Sequence, residues 1–214
     1  MTSRGWAVSA CGTLATSPVA AQRPRALAFE GMGASVRLRS TSPLGREALS
    51  GSALGGEVRL WRRAVILSVG YLQATLKPDS GSPAERNLVE GWALIGVRPK
   101  GWLEVRGGGQ VRAYVTPAGT ARRMYWEARA RGEVPLVGRT AVAYVELWRS
   151  LAGSASGGDA VQGAQGGDSG LLVQIPGTPW RVRLAYRIDR TQLRTARRVE
   201  TLEGVSLAVG IGGR

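Results

Sequence analysis

Histidine is absent from this chain of 214 residues. That absence removes the commonest general base, the commonest metal ligand and every serine–histidine or cysteine–histidine nucleophile pair. Cysteine occurs once, at Cys11, so no internal disulfide or thiolate cluster can form. Phenylalanine also occurs once, and lysine only at Lys77 and Lys100. No apolar run approaches the ~18 residues that a membrane-crossing helix requires. The longest stretches, such as AVILSVG at 64–70, are the size of a strand. GGG at 107–109 lacks the spacing of a dinucleotide loop and the helix that must follow it. No Asp/Glu group has metal-ligand spacing. The expectation is therefore no catalytic residue, no metal ligand and no cofactor.

What the chain does have is glycine, at 31 residues, and a lopsided charge, with Lys+Arg 29 against Asp+Glu 15 and a net of +14. Nearly all of the positive charge is arginine, which stays ionised. Such an excess suits nucleic acid, anionic lipid or internal ion pairing. A nucleic-acid binder needs a basic face with stacking aromatics. Here acids alternate with the arginines throughout, so no nucleic-acid partner is expected. Hydrophobic residues at 43% exclude a disordered chain.

A period of two recurs along the chain after residue 22. In 101–116 Leu103, Val105, Gly107, Gly109, Val111, Ala113 and Val115 oppose Trp102, Glu104, Arg106, Gly108, Gln110, Arg112 and Tyr114. In 123–136 Met124, Trp126, Ala128, Ala130 and Val134 oppose Arg123, Tyr125, Glu127, Arg129, Arg131 and Glu133. In 180–189 Trp180, Val182, Leu184, Tyr186 and Ile188 oppose Arg181, Arg183, Ala185, Arg187 and Asp189. Residues 139–150 set Ala141, Ala143, Val145 and Leu147 against Tyr144, Glu146 and Trp148, and 199–212 set Val205, Leu207, Val209 and Ile211 against small residues. Weaker versions lie at 49–60, 64–77, 86–98 and 168–176. In 25–39 the apolar register is Met32, Ala34, Val36 and Leu38, which Phe29 and Glu30 fit badly, so a bulge or a late strand start is expected there. Strict alternation marks strands with one apolar and one polar face.

The connections alternate in length. WRRA, PKG (99–101), EVPLVG (133–138) and GTP (177–179) are short, whereas 40–48, 78–85, 116–122, 151–168 and 190–198 read as longer polar loops, the fourth Gly/Ser-rich and mobile. About ten strands in this order form an antiparallel up-and-down meander. At the start, Arg4 and the small residues Val19-Ala20-Ala21 before Gln22 resemble a signal peptide over 1–21, leaving 22–214 as one barrel domain. A lipoprotein box around Cys11 and an ordinary tail are the alternatives.

Which face points inward decides the class. Pointed inward, the Ala-, Gly- and Val-rich faces would fill an interior poorly. Pointed outward, they meet lipid, which needs no jigsaw, while the charges pair across a polar lumen. GYLQATL (70–76) and RAYVTP (112–117) then resemble the Gly-plus-aromatic strands of small bacterial outer-membrane β-barrel proteins of the OmpA-like kind. The resemblance implies an all-β, closed transmembrane barrel in the bacterial outer membrane, with outer-membrane lipid and the barrel assembly machinery as partners. Such barrels usually end on an aromatic residue read by that machinery, and this chain ends GIGGR.

The expected lumen network is Glu104, Arg106, Arg112, Glu127, Arg129, Arg131, Glu146, Arg181, Arg183, Arg187 and Asp189. It would staple the barrel shut or line a narrow, porin-like, anion-favouring path. Arg190, Arg194, Arg197 and Arg198 crowd one connection and form a candidate anion-binding loop, with lipopolysaccharide phosphates as the matching ligand. GDSG at 167–170 looks like the nucleophile segment of chymotrypsin-like proteases, but without histidine it reads as plain flexible loop. The function expected is non-enzymatic: structural, surface-binding or minor anion passage. The alternative is a soluble periplasmic lipocalin-like barrel that carries a small apolar ligand.

Overall fold

The computed structural model describes residues 27–79, 84–138, 140–156, 160–194 and 197–212. The signal-peptide reading of 1–21, Cys11 and the last two residues lie outside this set.

Ten antiparallel strands follow one another: β1 (Leu27–Ser42), β2 (Gly45–Arg62), β3 (Val65–Pro78), β4 (Arg86–Lys100), β5 (Leu103–Thr116), β6 (Gly119–Val137), β7 (Ala141–Ala155), β8 (Val161–Gln174), β9 (Trp180–Leu193) and β10 (Arg198–Gly212). Each pairs with its neighbours in sequence, and β1 closes the sheet on β10, from Ala28↔Gly212 to Thr41↔Val199. Closure leaves no strand edge unpaired. The proximal end carries the start of β1 and the finish of β10, and the distal end lies opposite.

The expected contrast of loop lengths largely disappears. The distal connections at 43–44 and 117–118 are two-residue turns, where 40–48 and 116–122 were expected to loop. The Gly/Ser-rich stretch 151–168 is mostly strand, since β7 runs to Ala155 and β8 begins at Val161. Glycine there serves close packing. A Cβ on Gly166 would fall on the Asp189 carboxylate and the Trp148 indole nitrogen, which are bonded to each other across it. Trp126 pairs with Ala152 and Glu127 with Ser150, so Leu151 is an extra residue in a bulge. The tight turn expected at Trp61-Arg62-Arg63 falls at Arg63-Ala64, since β2 runs to Arg62, with Arg63 at φ 57.

Strands of 14 to 19 residues exceed the roughly 9–11 that a tilted membrane-crossing strand needs. Their outward registers change character along that length. The proximal part is apolar, with Leu54, Val58 and Leu60 on β2, Val65, Leu67 and Val69 on β3, and Val205, Leu207 and Val209 on β10 all exposed. The distal part is polar, with Arg37 and Arg39 on β1, Ser50 and Ser52 on β2, Thr75 and Lys77 on β3, Arg122 on β6 and Arg190 on β9. Val105 and Val111 face outward, while Arg106 and Arg112 are buried inside.

The interior changes in the opposite sense. At the distal side of β1–β4 and β10 it holds a cluster of Val36, Leu38, Leu49, Leu72, Leu76, Leu88 and Leu202. The β1 register expected from sequence is therefore reversed: Met32, Ala34, Val36 and Leu38 point inward, and Gly33, Ser35, Arg37 and Arg39 point out. No bulge occurs at Phe29 and Glu30, which hold continuous register with both neighbours. The physical reason is company. Val36 and Leu38 find partners in the buried leucines of β2, β3, β4 and β10, and Arg37 and Arg39 find acids outside.

Candidate functional site in the barrel lumen

The inward registers of β4, β5, β6, β7 and β9 bring the charges together, because every second residue of a strand lies on one face. Arg112, on β5, is 1% exposed. Its guanidinium reaches Glu90 Oε1 on β4 at 2.5–2.6 Å and Asp189 Oδ2 on β9 at 2.6 Å. Arg187 Nη1 donates to Glu90 Oε2 at 2.8 Å and pairs with Asp189. Gln110 Nε2 donates to Glu90 at 2.7 Å and Trp148 Nε1 to Asp189 at 2.8 Å. Two guanidinium groups thus share two fully buried carboxylates across the middle of the barrel.

A second group lies beside it. Arg106 Nε sits 2.9 Å from Glu104 Oε1, its Nη1 donates to Ser68 Oγ at 3.1 Å, and it pairs with Glu146. Arg129 bonds Glu127 at 2.6–2.7 Å and Glu146 at 3.2 Å, and its guanidinium lies 5.9 Å from the Trp148 ring centroid. Toward the proximal end Arg183 bonds Glu30 at 2.6 Å, Arg181 stands 3.5 Å from the same carboxylate, and Arg131 bonds Glu133 at 3.1 Å while stacking on Tyr144 at 3.7 Å. Toward the distal end Arg123 grips Glu200 bidentately, and Arg198 bonds Glu200 at 3.1 Å, Glu47 at 3.0 Å and Ser40 Oγ at 2.6 Å.

All eleven residues expected in the lumen face inward. Sequence reasoning left out the hub Glu90 and also Glu30, Glu57, Arg59, Arg98 and Glu200. Glu90 stood in the polar register of 86–98 and was readable there. Glu30 was hidden by the reversed reading of β1. The loop arginines do not assemble as expected. Arg190 faces outward from β9, Arg194 and Arg197 are exposed at the β9–β10 connection, and Arg198 turns inward to its carboxylates. Ion pairing inside the barrel outcompetes a shared anion site for Arg198. GDSG is not a loop: Asp168 pairs with Glu146 and Arg187 in register on β8, pointing inward, while Ser169 is exposed on the outer face. Alternation keeps the two side chains on opposite sides of the sheet, which forbids their acting together. Among the described residues, no group of three or more Asp, Glu or Cys is placed to hold a metal.

Among the described residues, cavities lie along the axis. The proximal vestibule measures about 500 Å³, a narrower chamber near Arg106 and Trp92 about 90 Å³, and a distal pit by Tyr114 and Arg123 about 450 Å³. Arg59, Arg131 and Arg183 border both the vestibule and the chamber. No residue borders both the chamber and the distal pit, and Arg112, Glu90, Leu88 and Tyr125 fill the space beyond the chamber without exposure above 1%.

No family model and no curated relative matches this chain. Solved structures do. The translocator domain of the autotransporter NalP from Neisseria meningitidis superimposes with a TM-score of 0.52 at 14% identity, over 89% of this chain and 90% of that one. The outer membrane protease OmpT from Escherichia coli gives a TM-score of 0.53 at 6% identity, over 87% and 96%. The fold is that of a bacterial outer-membrane β-barrel. At such identities the likeness is one of architecture. What the lumen does must be argued from this chain's own residues.

Proposed function

We propose that this chain is a bacterial outer-membrane barrel with a stapled lumen and no catalytic centre, serving envelope integrity and surface binding. The exterior carries the reading. Every strand presents an apolar stretch to the outside, and soluble monomers rarely expose apolar patches larger than a few hundred Å². Charges inside and aliphatic residues outside is the arrangement of a barrel solvated by lipid. A soluble lipocalin-like barrel needs an apolar inner face on all strands, whereas here two apolar clusters leave the inner registers of β5, β6, β7 and β9 lined largely by buried charges.

The lumen favours a staple over a path. Each inward arginine from Arg59 to Arg198 has a carboxylate within 4 Å, so the field along the axis is close to balanced. An anion-favouring path requires an excess, and a through-path requires a gap at Arg112.

The test is biochemical. Extraction from membranes only by detergent, heat-modifiable gel mobility and absence of steady conductance in planar bilayers are expected. Recovery in the soluble fraction without detergent, or stable open-pore currents, would refute the reading.

A second observation points to the bound surface. Lys77, Arg122, Arg190 and Arg194 stand on the outer face or rim distal to the apolar belt, and Arg149 stands on the outer face of β7 between Leu147 and Leu151, none with a carboxylate partner among the described residues. Cations at that level suit lipid phosphates, lipopolysaccharide included, by charge-assisted contacts. Reconstitution in vesicles with anionic lipid should raise thermal stability over zwitterionic vesicles. Equal stability, or loss of the difference only in lumen variants, would remove the collar from the account.

A further inference from the structure

The proximal vestibule has an internal chemistry that the closed lumen does not explain. Its volume, about 500 Å³, lies within the range of small-molecule sites, roughly 300–1,000 Å³. One side is apolar and aromatic, with Trp61, Trp102 and Leu172. The other side presents Arg59, Arg131, Arg181 and Arg183. Two carboxylates line the same space, Glu30 and Glu133, and each is already divided between two arginines. Glu30 serves Arg183 at 2.6 Å and Arg181 at 3.5 Å, and Glu133 serves Arg131 at 3.1 Å and Arg98 at 3.2 Å. Arg181 is thus the weakly matched cation of the group, and it is 9% exposed. The indole nitrogen of Trp61 and Nε of Arg181 are buried and have no acceptor among the described residues. Buried donors without acceptors are costly, and a carboxylate offers about four lone-pair sites to such groups.

The vestibule is also blind. It narrows into the chamber whose far wall is Met32, Val36, Leu72 and Trp92, and among the described residues none borders both that chamber and the distal pit. A solute entering from the proximal end meets guanidinium groups on one side and apolar surface on the other, with no exit.

We infer that this vestibule binds a small organic monoanion, its carboxylate held by Arg181 and Arg183 and its aromatic or branched aliphatic body laid against Trp61 and Trp102. An inorganic anion leaves the tryptophan wall unused, and a neutral apolar solute leaves the guanidinium groups without an acceptor. The inference rests on the membrane-barrel reading for the orientation of the barrel faces.

The probe is 4-fluorobenzoate, followed by ¹⁹F NMR against the full chain refolded in zwitterionic micelles. Saturable binding is expected, with 4-fluorobenzyl alcohol and acetate each at least tenfold weaker. Arg181→Gln should weaken binding about tenfold or more, the loss typical of one charge-assisted contact. Trp102 is half exposed at the β4–β5 turn and makes no side-chain ion pair, so Trp102→Ala folds independently of the network and should weaken binding several-fold. Arg86→Gln, at the distal end, should leave binding unchanged. Equal affinity for the alcohol, full binding by Arg181→Gln or Trp102→Ala, or equal loss in Arg86→Gln would overturn the inference. Heat-modifiable mobility is recorded on each sample. A heat-modifiable barrel that does not bind overturns the vestibule alone, and a detergent-independent soluble chain that binds overturns the membrane reading alone.

Discussion

Substituting methionine for Arg112 tests whether the lumen is held by charge or merely filled. Arg112 is 1% exposed, and its two partners, Glu90 and Asp189, are each 0% exposed. Methionine reaches about as far as Nε and leaves a gap where Cζ and the two terminal nitrogens stood, so the cost is mainly electrostatic with a smaller packing part. In the native barrel Arg112 and Arg187 balance Glu90 and Asp189. Without Arg112 one guanidinium serves two buried carboxylates. Removing one member of a buried pair costs about 3–5 kcal/mol. Arg187 keeps its bonds to both acids, and water from the adjoining chamber can reach them, so the lower end, about 3 kcal/mol, is expected.

The informative variant is the double one. Arg112→Met with Glu90→Gln restores the balance, leaving Asp189 to Arg187. It should recover about 1–2 kcal/mol relative to the single variant, since contacting residues in one network couple by 0.5–3 kcal/mol. Urea unfolding in lipid vesicles, read by tryptophan fluorescence, gives both numbers. A single variant costing below about 1 kcal/mol would show the network to be solvated and weak. A double variant costing the sum of the two singles would show that Arg112 and Glu90 do not act on one another, and the staple account would fail.

Depth can be scanned along β3. Leu67→Lys, in the apolar belt, should cost about 2–4 kcal/mol, while Thr75→Lys on the same outer register should stay within about 1 kcal/mol; equal costs would remove the boundary of the belt. Gly166→Ala pushes a methyl group onto the Trp148–Asp189 bond and should cost about 1–3 kcal/mol, whereas Gly163→Ala, with open space around it, should be near neutral in the same unfolding assay. At the distal rim the Ser50 hydroxyl, and then Arg37, hold the Asp79 carboxyl below its usual range. A depressed carboxylate stabilises the fold above its unfolded value, about pH 3.9, and that contribution is lost as pH falls through the folded value. Asp79→Asn should therefore speed exchange of the Asp79 amide, which bonds Ala48 O at 3.0 Å, at neutral pH. The ratio to the parent should fall toward one in acid, and a ratio that is constant with pH would refute the clasp.

Legibility in the sequence followed how strongly the two faces of each strand differ. On β5, β6 and β9 one register is apolar and the other charged, so inside and outside follow once the charges are allowed to pair. β1 offers Met32, Ala34, Val36 and Leu38 in one register and glycine, serine and arginine in the other. Local pattern would place the apolar row in lipid. What reverses it is Leu49, Leu72, Leu88 and Leu202, residues remote in sequence that form an apolar core at the distal end. The Gly/Ser-rich stretch failed for a related reason. Glycine there makes room for Trp148 and Asp189 within paired strands, and composition alone does not tell a strand that must be thin from a loop that must be flexible.

The two ends of the barrel therefore follow opposite solvent logic along one set of strands. Toward the distal end a polar outside on β1–β3 meets an aliphatic cluster inside, while Arg123, Glu200 and Arg198 keep the rest of the distal interior ionic. On β1–β3 the outward register passes from apolar to polar along the strand, and under the membrane reading that change marks the level at which lipid gives way to water. It also bears on the net charge of +14, part of which is carried by Arg4, Arg23, Arg25, Arg139 and Arg214 outside the described residues. Inside, arginines and carboxylates match closely, so the excess cannot be a property of the lumen. Among the described residues it resides on exterior and rim cations such as Lys77, Arg122, Arg149, Arg190 and Arg194. A barrel built to move anions would carry its surplus along the axis. This one carries it outside, at the level where phosphate headgroups would stand, with the weakly matched Arg181 at the proximal mouth as the interior exception.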